Sequence, residues 1–269
     1  MAGRPPDRRE SVTHARPSHP ANPAPRAAVP LAEPAQLARE LADGLAELRL
    51  PLAERVQVRL LDYLALLAKW NTVYNLTAIR DPRQMLTQHL LDSLAIVAPL
   101  QQQLPALAAP ESQVRPLRVF DIGSGGGLPG IVLAIVWPSV QVVLVEPVGK
   151  KAAFLRQCQA ELALPNLSVA ACRAQDLPPA MRAPAPDLIV CRAFASLADF
   201  AAAIEPLMAP HTQVAAMKGL RPDDEIAQLP AGWSLADTIA LRVPGLDASR
   251  HLILLRHDAP ARSGNDLRA

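Results

Sequence analysis

The stretch Phe120-Asp121-Ile122-Gly123-Ser124-Gly125-Gly126-Gly127-Leu128-Pro129-Gly130 decides how this chain is read. An apolar run precedes it and an apolar, helix-compatible run follows. The sequence therefore places a glycine loop between a strand and a helix. Glycine tolerates positive φ and lets a backbone approach a ligand closely. Pro129 suits the first turn of the helix, where its missing N–H is no loss. Gly125, Gly127 and Gly130 satisfy G-x-G-x-x-G, a pattern that by itself also admits a dinucleotide.

Working outward, short apolar runs recur at Leu117–Phe120, Val140–Val145, Leu167–Ala171, Leu188–Cys191 and Val214–Met217. Helical patterns such as Lys150–Leu164 and Leu197–Met208 lie between them. This alternation predicts βα units and a parallel sheet. Two further strands, near Trp233–Val243 and His251–His257, have no helix between them and are expected to pair antiparallel at the sheet edge. Upstream, Leu37, Leu41, Leu45, Leu48, Leu60, Leu64 and Leu67 follow a helical period, with Trp70 on the same face. Asp81-Pro82 is a helix start signal. The expected organisation is a Pro/Arg-rich tail over 1–34, a helical cap over 35–110, an α/β domain over 111–259 and a flexible end over 260–269.

Composition narrows the function classes. The 269 residues carry 27 basic and 25 acidic side chains, and half are hydrophobic. The tail holds five Arg against three acids, so the rest is neutral and any RNA surface must be a local patch. No uncharged apolar run is long enough for a membrane span, and the N-terminus lacks the apolar core of a secretory signal. Three cysteines, Cys158, Cys172 and Cys191, neither form a disulfide framework nor show zinc spacing. A cytoplasmic protein without a metal, and a monomer, is expected.

Asp121 ends the first strand directly before the glycines. An acid-x-G-x-G cluster is typical of class I methyltransferases that bind S-adenosylmethionine. There, no pyrophosphate has to meet a helix N-terminus. Glu146 ends the second strand, where a carboxylate can accept from both ribose hydroxyls of an adenosine cofactor; this does not separate S-adenosylmethionine from NAD. Arg192, at the end of the fourth strand, is placed to contact a cofactor carboxylate or an electron-rich acceptor. Phe194 can stack on a base, although a core role is as compatible with the sequence. Asn75, His89, Asp92 and Ser93 form a polar group on otherwise apolar helices, a pattern that suits the lining of a mouth. The fourth strand lacks the Asn/Asp-Pro-Pro-Tyr/Phe motif of exocyclic-amine methylation. It also lacks a Pro-Cys pair for covalent attack on a pyrimidine. Three readings stand at this point: a methyltransferase, an NAD-linked oxidoreductase, and a non-enzymatic RNA-binding or ribosome-assembly factor.

Six blocks in order resemble a known family. They are Asn75-Leu76-Thr77 with Arg80-Asp81-Pro82, His89-Leu90-Leu91-Asp92-Ser93, the glycine loop through Ile131, Gly149-Lys150-Lys151-Ala152-Ala153-Phe154-Leu155, Arg192-Ala193-Phe194-Ala195-Ser196-Leu197 and Lys218-Gly219. Together they resemble the RsmG (GidB) family of 16S rRNA guanine-N7 methyltransferases. The resemblance implies a class I, Rossmann-like fold with S-adenosylmethionine as cofactor and 16S rRNA or the small ribosomal subunit as partner. It implies cofactor contacts at Gly123, Leu128, Ala174, Gln175 and Arg192, besides Asp121, Gly125 and Glu146. Asn75, His89, Ser93, Phe194 and Lys218 are expected on the substrate side, with Arg192 and Asp92 in catalysis. One departure is Glu146-Pro147-Val148, where the family usually has Asp-Ser/Ala-Leu; the extra methylene bears on cofactor affinity. The first 34 residues have no counterpart in the family.

Overall fold

The computed structural model describes Met1, residues 34–109 and residues 114–258. The expected tail, apart from its two end residues, and the expected C-terminal end lie outside the described residues.

Helix α1 (Pro34–Glu47) buries Leu37, Leu41 and Leu45, spaced by four. Helix α2 (Glu54–Tyr74) buries Leu60, Tyr63, Leu64 and Leu67, the i, i+3, i+4, i+7 stripe of an amphipathic helix. Its C-cap is Asn75, held in the left-handed region at φ 49°. At α3 (Pro82–Met85), the start signal acts as expected: Asp81 caps the helix by accepting from the Gln84 N–H at 2.9 Å, and Pro82 occupies the first turn. The rod continues through a π turn, Leu86–Leu91, into α4 (Asp92–Leu94). There the Asp92 N–H reaches back to the Thr87 carbonyl. Helix α5 (Val97–Gln103) follows.

The α/β part then runs β1 (Arg118–Ile122), α6 (Gly130–Val136), β2 (Gln141–Val145), α7 (Gly149–Glu161), β3 (Leu167–Ala170), α8 (Pro179–Arg182), β4 (Leu188–Arg192), α9 (Leu197–Ile204), β5 (Gln213–Lys218), α10 (Asp223–Ala227), β6 (Trp233–Leu241) and β7 (Arg250–His257). The seven strands lie in the order β3-β2-β1-β4-β5-β7-β6. Strands β1 to β5 are parallel, and β7 is antiparallel to both β5 and β6. This is the doubly wound sheet with an antiparallel edge that the sequence predicts.

Alternation along the strands sorts side chains between two cores. Val119, Val142, Leu144, Leu188, Val190 and Ala215 face α6, α7 and the N-terminal helices. Phe120, Val143, Val145, Ile189 and Val214 face α9, with Phe200, Ala201 and Ile204. The N-terminal helices therefore belong to the core on one face of the sheet and complete that layer. The chain winds one way from β1 through β2 to β3 and the other way from β4 to β5. The reversal opens a crevice at the carboxyl ends of β1 and β4, where doubly wound folds bind ligands. Among the described residues, no helix is long and apolar enough to cross a membrane.

Candidate active site

The glycine loop leaves β1 with positive φ at Gly123 (73°), Gly125 (58°) and Gly127 (90°). Neighbouring elements hold it from several sides. The Gly123 N–H donates to the Val145 carbonyl at 2.8 Å, and the Gly125 N–H donates to Glu146 Oε2 at 2.8 Å. From α2, the Tyr63 hydroxyl donates to the Gly126 carbonyl at 2.6 Å. The loop borders a cavity of about 220 Å³, lined also by Leu67, Leu76, Thr77, Leu128, Lys151, Arg192 and Ala193. A Cβ placed on Gly125 would find no atom nearer than the Gly123 carbonyl oxygen at 3.8 Å. Gly125 lies on the cavity wall with open space beside it. The buried carboxylate of Glu146 also accepts from the Val148 N–H at 2.9 Å. Each oxygen has a second lone pair free to accept, so a ribose can still be held.

Asp121 lies beneath the loop and is wholly buried. One oxygen accepts from the Gly130 N–H at 3.0 Å, fastening the first turn of α6, and the other has no hydrogen-bond partner. Burial pushes its carboxyl up to about 7, against the opposing pull of the Gly130 N–H, Ser124 and Arg192. Between the unfolded carboxylate's value and about 7, the folded protein holds a proton that the unfolded chain has lost. The stabilisation from this group is therefore complete below pH ~4 and fades as pH rises through about 7. Asp121→Asn keeps an oxygen for Gly130 and removes the titration. Its stability relative to wild type should rise with pH across that window, by up to about 4 kcal/mol. Urea titrations of both proteins at pH 5 and pH 8 measure this; equal differences at the two pH values would sink it.

Across the crevice, Arg192 is fixed by the N-terminal helices. Its Nη1 donates to the Gln88 carbonyl at 3.0 Å and to Asp92 Oδ2 at 3.2 Å. Arg250 Nε donates to the other oxygen of Asp92 at 2.9 Å. Asp92 is 4% exposed in its side chain, so two guanidinium groups surround a dry carboxylate. The π turn supplies the second anchor. With the Asp92 N–H taken by Thr87 and His89, the Gln88 carbonyl is available to Arg192. His89 Nδ1 meets that same carbonyl, and its Nε2 lies 2.9 Å from the Thr77 hydroxyl. Burial and Arg192 lower His89 to about 4. The ring is neutral at pH 7, so Nδ1–H donates to Gln88 and Nε2 accepts from Thr77. His89 thereby orients Thr77, which lines the cavity.

The other expected site residues are placed as follows. Ala174 and Gln175 form a tight turn just after β3, Ala174 buried and Gln175 exposed, and neither lines the cavity. Phe194 packs on Phe200 with centroids 5.4 Å apart, and its ring edge faces Gly123. Lys218 donates to both oxygens of Glu225 and to the Phe194 carbonyl. It therefore braces the loop after β4. Asn75 accepts from Arg80 at 2.7 Å, and Ser93 is buried with its hydroxyl unpaired. The sequence reading missed Tyr63, Lys151 and Arg250. Tyr63 sits in an apolar helix stripe and reads as core. Arg250 starts β7, between β5 and β6, and carries no local signal. No cluster of His, Cys, Asp or Glu that could hold a metal occurs among the described residues.

Comparison with known proteins agrees with this geometry. The family model for rRNA small subunit methyltransferase G matches residues 57–253. "Ribosomal RNA small subunit methyltransferase G" of Burkholderia multivorans is 54% identical over 218 residues, 81% of this chain and 91% of that protein. The protein of the same name from Burkholderia vietnamiensis matches at 54% over the same shares. Likeness to solved structures is looser: TrmN from Thermus thermophilus is 22% identical over 64% of this chain and 53% of its own, at a TM-score of 0.43. With the family match spanning the glycine loop, the Asp92–Arg192 bridge and most of the sheet, the chain belongs to the rRNA small subunit methyltransferase G family.

Proposed function

We propose that this protein transfers a methyl group from S-adenosylmethionine to N7 of a guanine in 16S rRNA. The family match across residues 57–253, falling on an intact loop cavity, carries the reading. Gly123, Gly125, Leu128 and Arg192 line that cavity, and its polar groups suit the cofactor: the Arg192 guanidinium for a carboxylate, and Glu146 nearby for a ribose. Asp121 supports the seat from below, and Ala174 and Gln175 lie at the next strand end, on the side proposed for the adenine. Bound there, S-adenosylmethionine supplies an activated methyl group on a sulfonium.

Guanine N7 has an in-plane lone pair and no proton at neutral pH, so the chain needs no general base. Its task is to align the base and exclude water. Good alignment alone is worth roughly 7–11 kcal/mol. Arg192 acts by position: Asp92 and the Gln88 carbonyl hold its guanidinium at the cavity wall. Asp92, matched by two arginines, acts through Arg192 as a positioning residue, not through its own charge on the product purine. Asn75, Phe194 and Lys218, with His89 and Ser93 behind them, belong to the proposed acceptor side. A degenerate RNA-binding factor would have no use for the cavity.

The test is incubation with methyl-labelled S-adenosylmethionine and small-subunit RNA, both naked and as particles. Nucleosides are then identified by mass spectrometry. Labelled 7-methylguanosine is expected; any other labelled nucleoside overturns the base assignment. Arg192→Ala should weaken cofactor binding by about 1.5–3 kcal/mol, the worth of a charged hydrogen bond. Calorimetry measures it, and unchanged affinity would assign Arg192 to RNA or to structure.

A further inference from the structure

At the last turn of α2, aromatic side chains run from the core to the surface without lining the cavity. Trp70 and Tyr74, one turn apart, stack with centroids 5.0 Å apart and planes 29° from parallel. Trp70 rests in turn on the buried Phe154 of α7, at 5.6 Å. Tyr74 is 39% exposed, and its neighbour Val73 64%. A stacked aromatic column rooted in the core thus ends in an open tyrosine face.

The surroundings are basic. Helix α2 crosses α7 so that Tyr63 lies near Cys158 and Trp70 near Phe154. The next turn of α2 therefore lies toward the first turn of α7, which carries Lys150 and Lys151. Lys151 lines the cavity, as do Leu76 and Thr77, two and three residues beyond Tyr74. Arg80 donates at 2.7 Å to the side chain of Asn75, the residue after Tyr74. No carboxylate among the described residues pairs with Lys150, Lys151 or Arg80. The chain has four lysines, and two of them are here.

A rigid aromatic face flanked by unpaired cations suits a single-stranded nucleotide, with the base on the ring and phosphates on the cations. We propose that Tyr74, backed by Trp70, is a stacking platform for an unpaired base of the RNA close to the target guanine, with Lys150 and Arg80 tracking the backbone. This rests on the proposed RNA methylation and names where the acceptor strand lies.

The experiment compares wild type with Tyr74→Ala, Tyr74→Phe and Lys150→Ala, using protein-free small-subunit ribosomal RNA as the probe. Tyr74→Ala should raise the RNA Kd and KM about ten- to hundredfold, with kcat and S-adenosylmethionine affinity unchanged. Tyr74→Phe keeps the ring and should restore binding to within about twofold of wild type. Lys150→Ala should weaken binding and reduce the salt slope by about one. Trp137 and Trp233 are buried, so a change in tryptophan emission on adding RNA reports Trp70 and should accompany binding. RNA binding by Tyr74→Ala equal to wild type, with methylation intact, overturns the platform alone. Equal loss in Tyr74→Phe and Tyr74→Ala also overturns it, because the hydroxyl and not the ring face would then be the contact. Failure of wild type itself to bind or methylate RNA overturns the underlying function and the platform with it.

Discussion

Gly125→Asp should abolish the proposed S-adenosylmethionine binding and leave the protein folded. Position 125 has φ 58°, a left-handed conformation that Asp and Asn adopt more readily than other side chains. Its Cβ would meet nothing within 3.8 Å, so the fold can accept a side chain there. That side chain would project into the 220 Å³ cavity, taking volume the cofactor needs. It would also put a second carboxylate beside Glu146, whose Oε2 already accepts the Gly125 N–H. Filling the seat and adding a desolvated negative charge each cost several kcal/mol, so affinity should fall by about a thousandfold or more. Calorimetry reads the affinity, and a thermal melt within a few degrees of wild type shows the fold is intact. Gly125→Asn separates volume from charge: a similar loss in both assigns the effect to filled space. Retained nanomolar-to-micromolar binding in Gly125→Asp would place the cofactor away from this loop.

The parts of this site that the sequence makes legible are the parts built from local pattern. The glycine loop announces its positive φ values through residue type. The strand ends that carry Glu146 and Arg192 follow from the spacing of apolar runs, and the antiparallel edge follows from two strands with no helix between them. Asp81-Pro82 marks a helix start for reasons contained within four residues. What is not legible depends on contacts between distant segments. Arg192 and Asp92 are 100 residues apart, and Arg250 lies a further 58 along the chain, so no period or motif announces that they share one carboxylate. Tyr63 reads as core because its ring is core; only its hydroxyl reaches the loop. The π turn at Leu86–Leu91 has no residue-type signature, yet it frees the carbonyl that holds Arg192. Asp121 is a subtler case. Its place at a strand end suggests a hand on the ligand, but a central strand covered on both faces buries that carboxylate and turns it toward α6.

Two residues from Gly125, the same class of substitution should fail in the opposite way. Gly127 has φ 90°, further into the region closed to side chains. A Cβ there would lie 2.4 Å from Ile131 Cδ1, 2.8 Å from Ile131 Cγ1 and 3.1 Å from Leu155 Cδ2. Ile131 and Leu155 are fully buried, on α6 and α7, in the core that joins the N-terminal helices to the sheet. Neither has solvent to move into. Backbone strain at such a φ costs about 1–3 kcal/mol, and overpacking a filled core costs about 1–3 kcal/mol more. Gly127→Ala should therefore lose roughly 2–6 kcal/mol, a large share of the 5–15 kcal/mol that typically separates folded from unfolded chains. The melting temperature should drop by about 5–15 °C, as read by circular dichroism. Gly125→Ala, with open space around its Cβ, is the control and should lose about 1–2 kcal/mol from strain alone. Introducing Gly127→Ala into an Ile131→Ala background isolates the packing part, because the smaller side chain removes both the 2.4 Å and the 2.8 Å contacts. If Gly127→Ala costs as much in that background as in wild type, the loop glycine is required for its backbone angle and not for the space it leaves to α6.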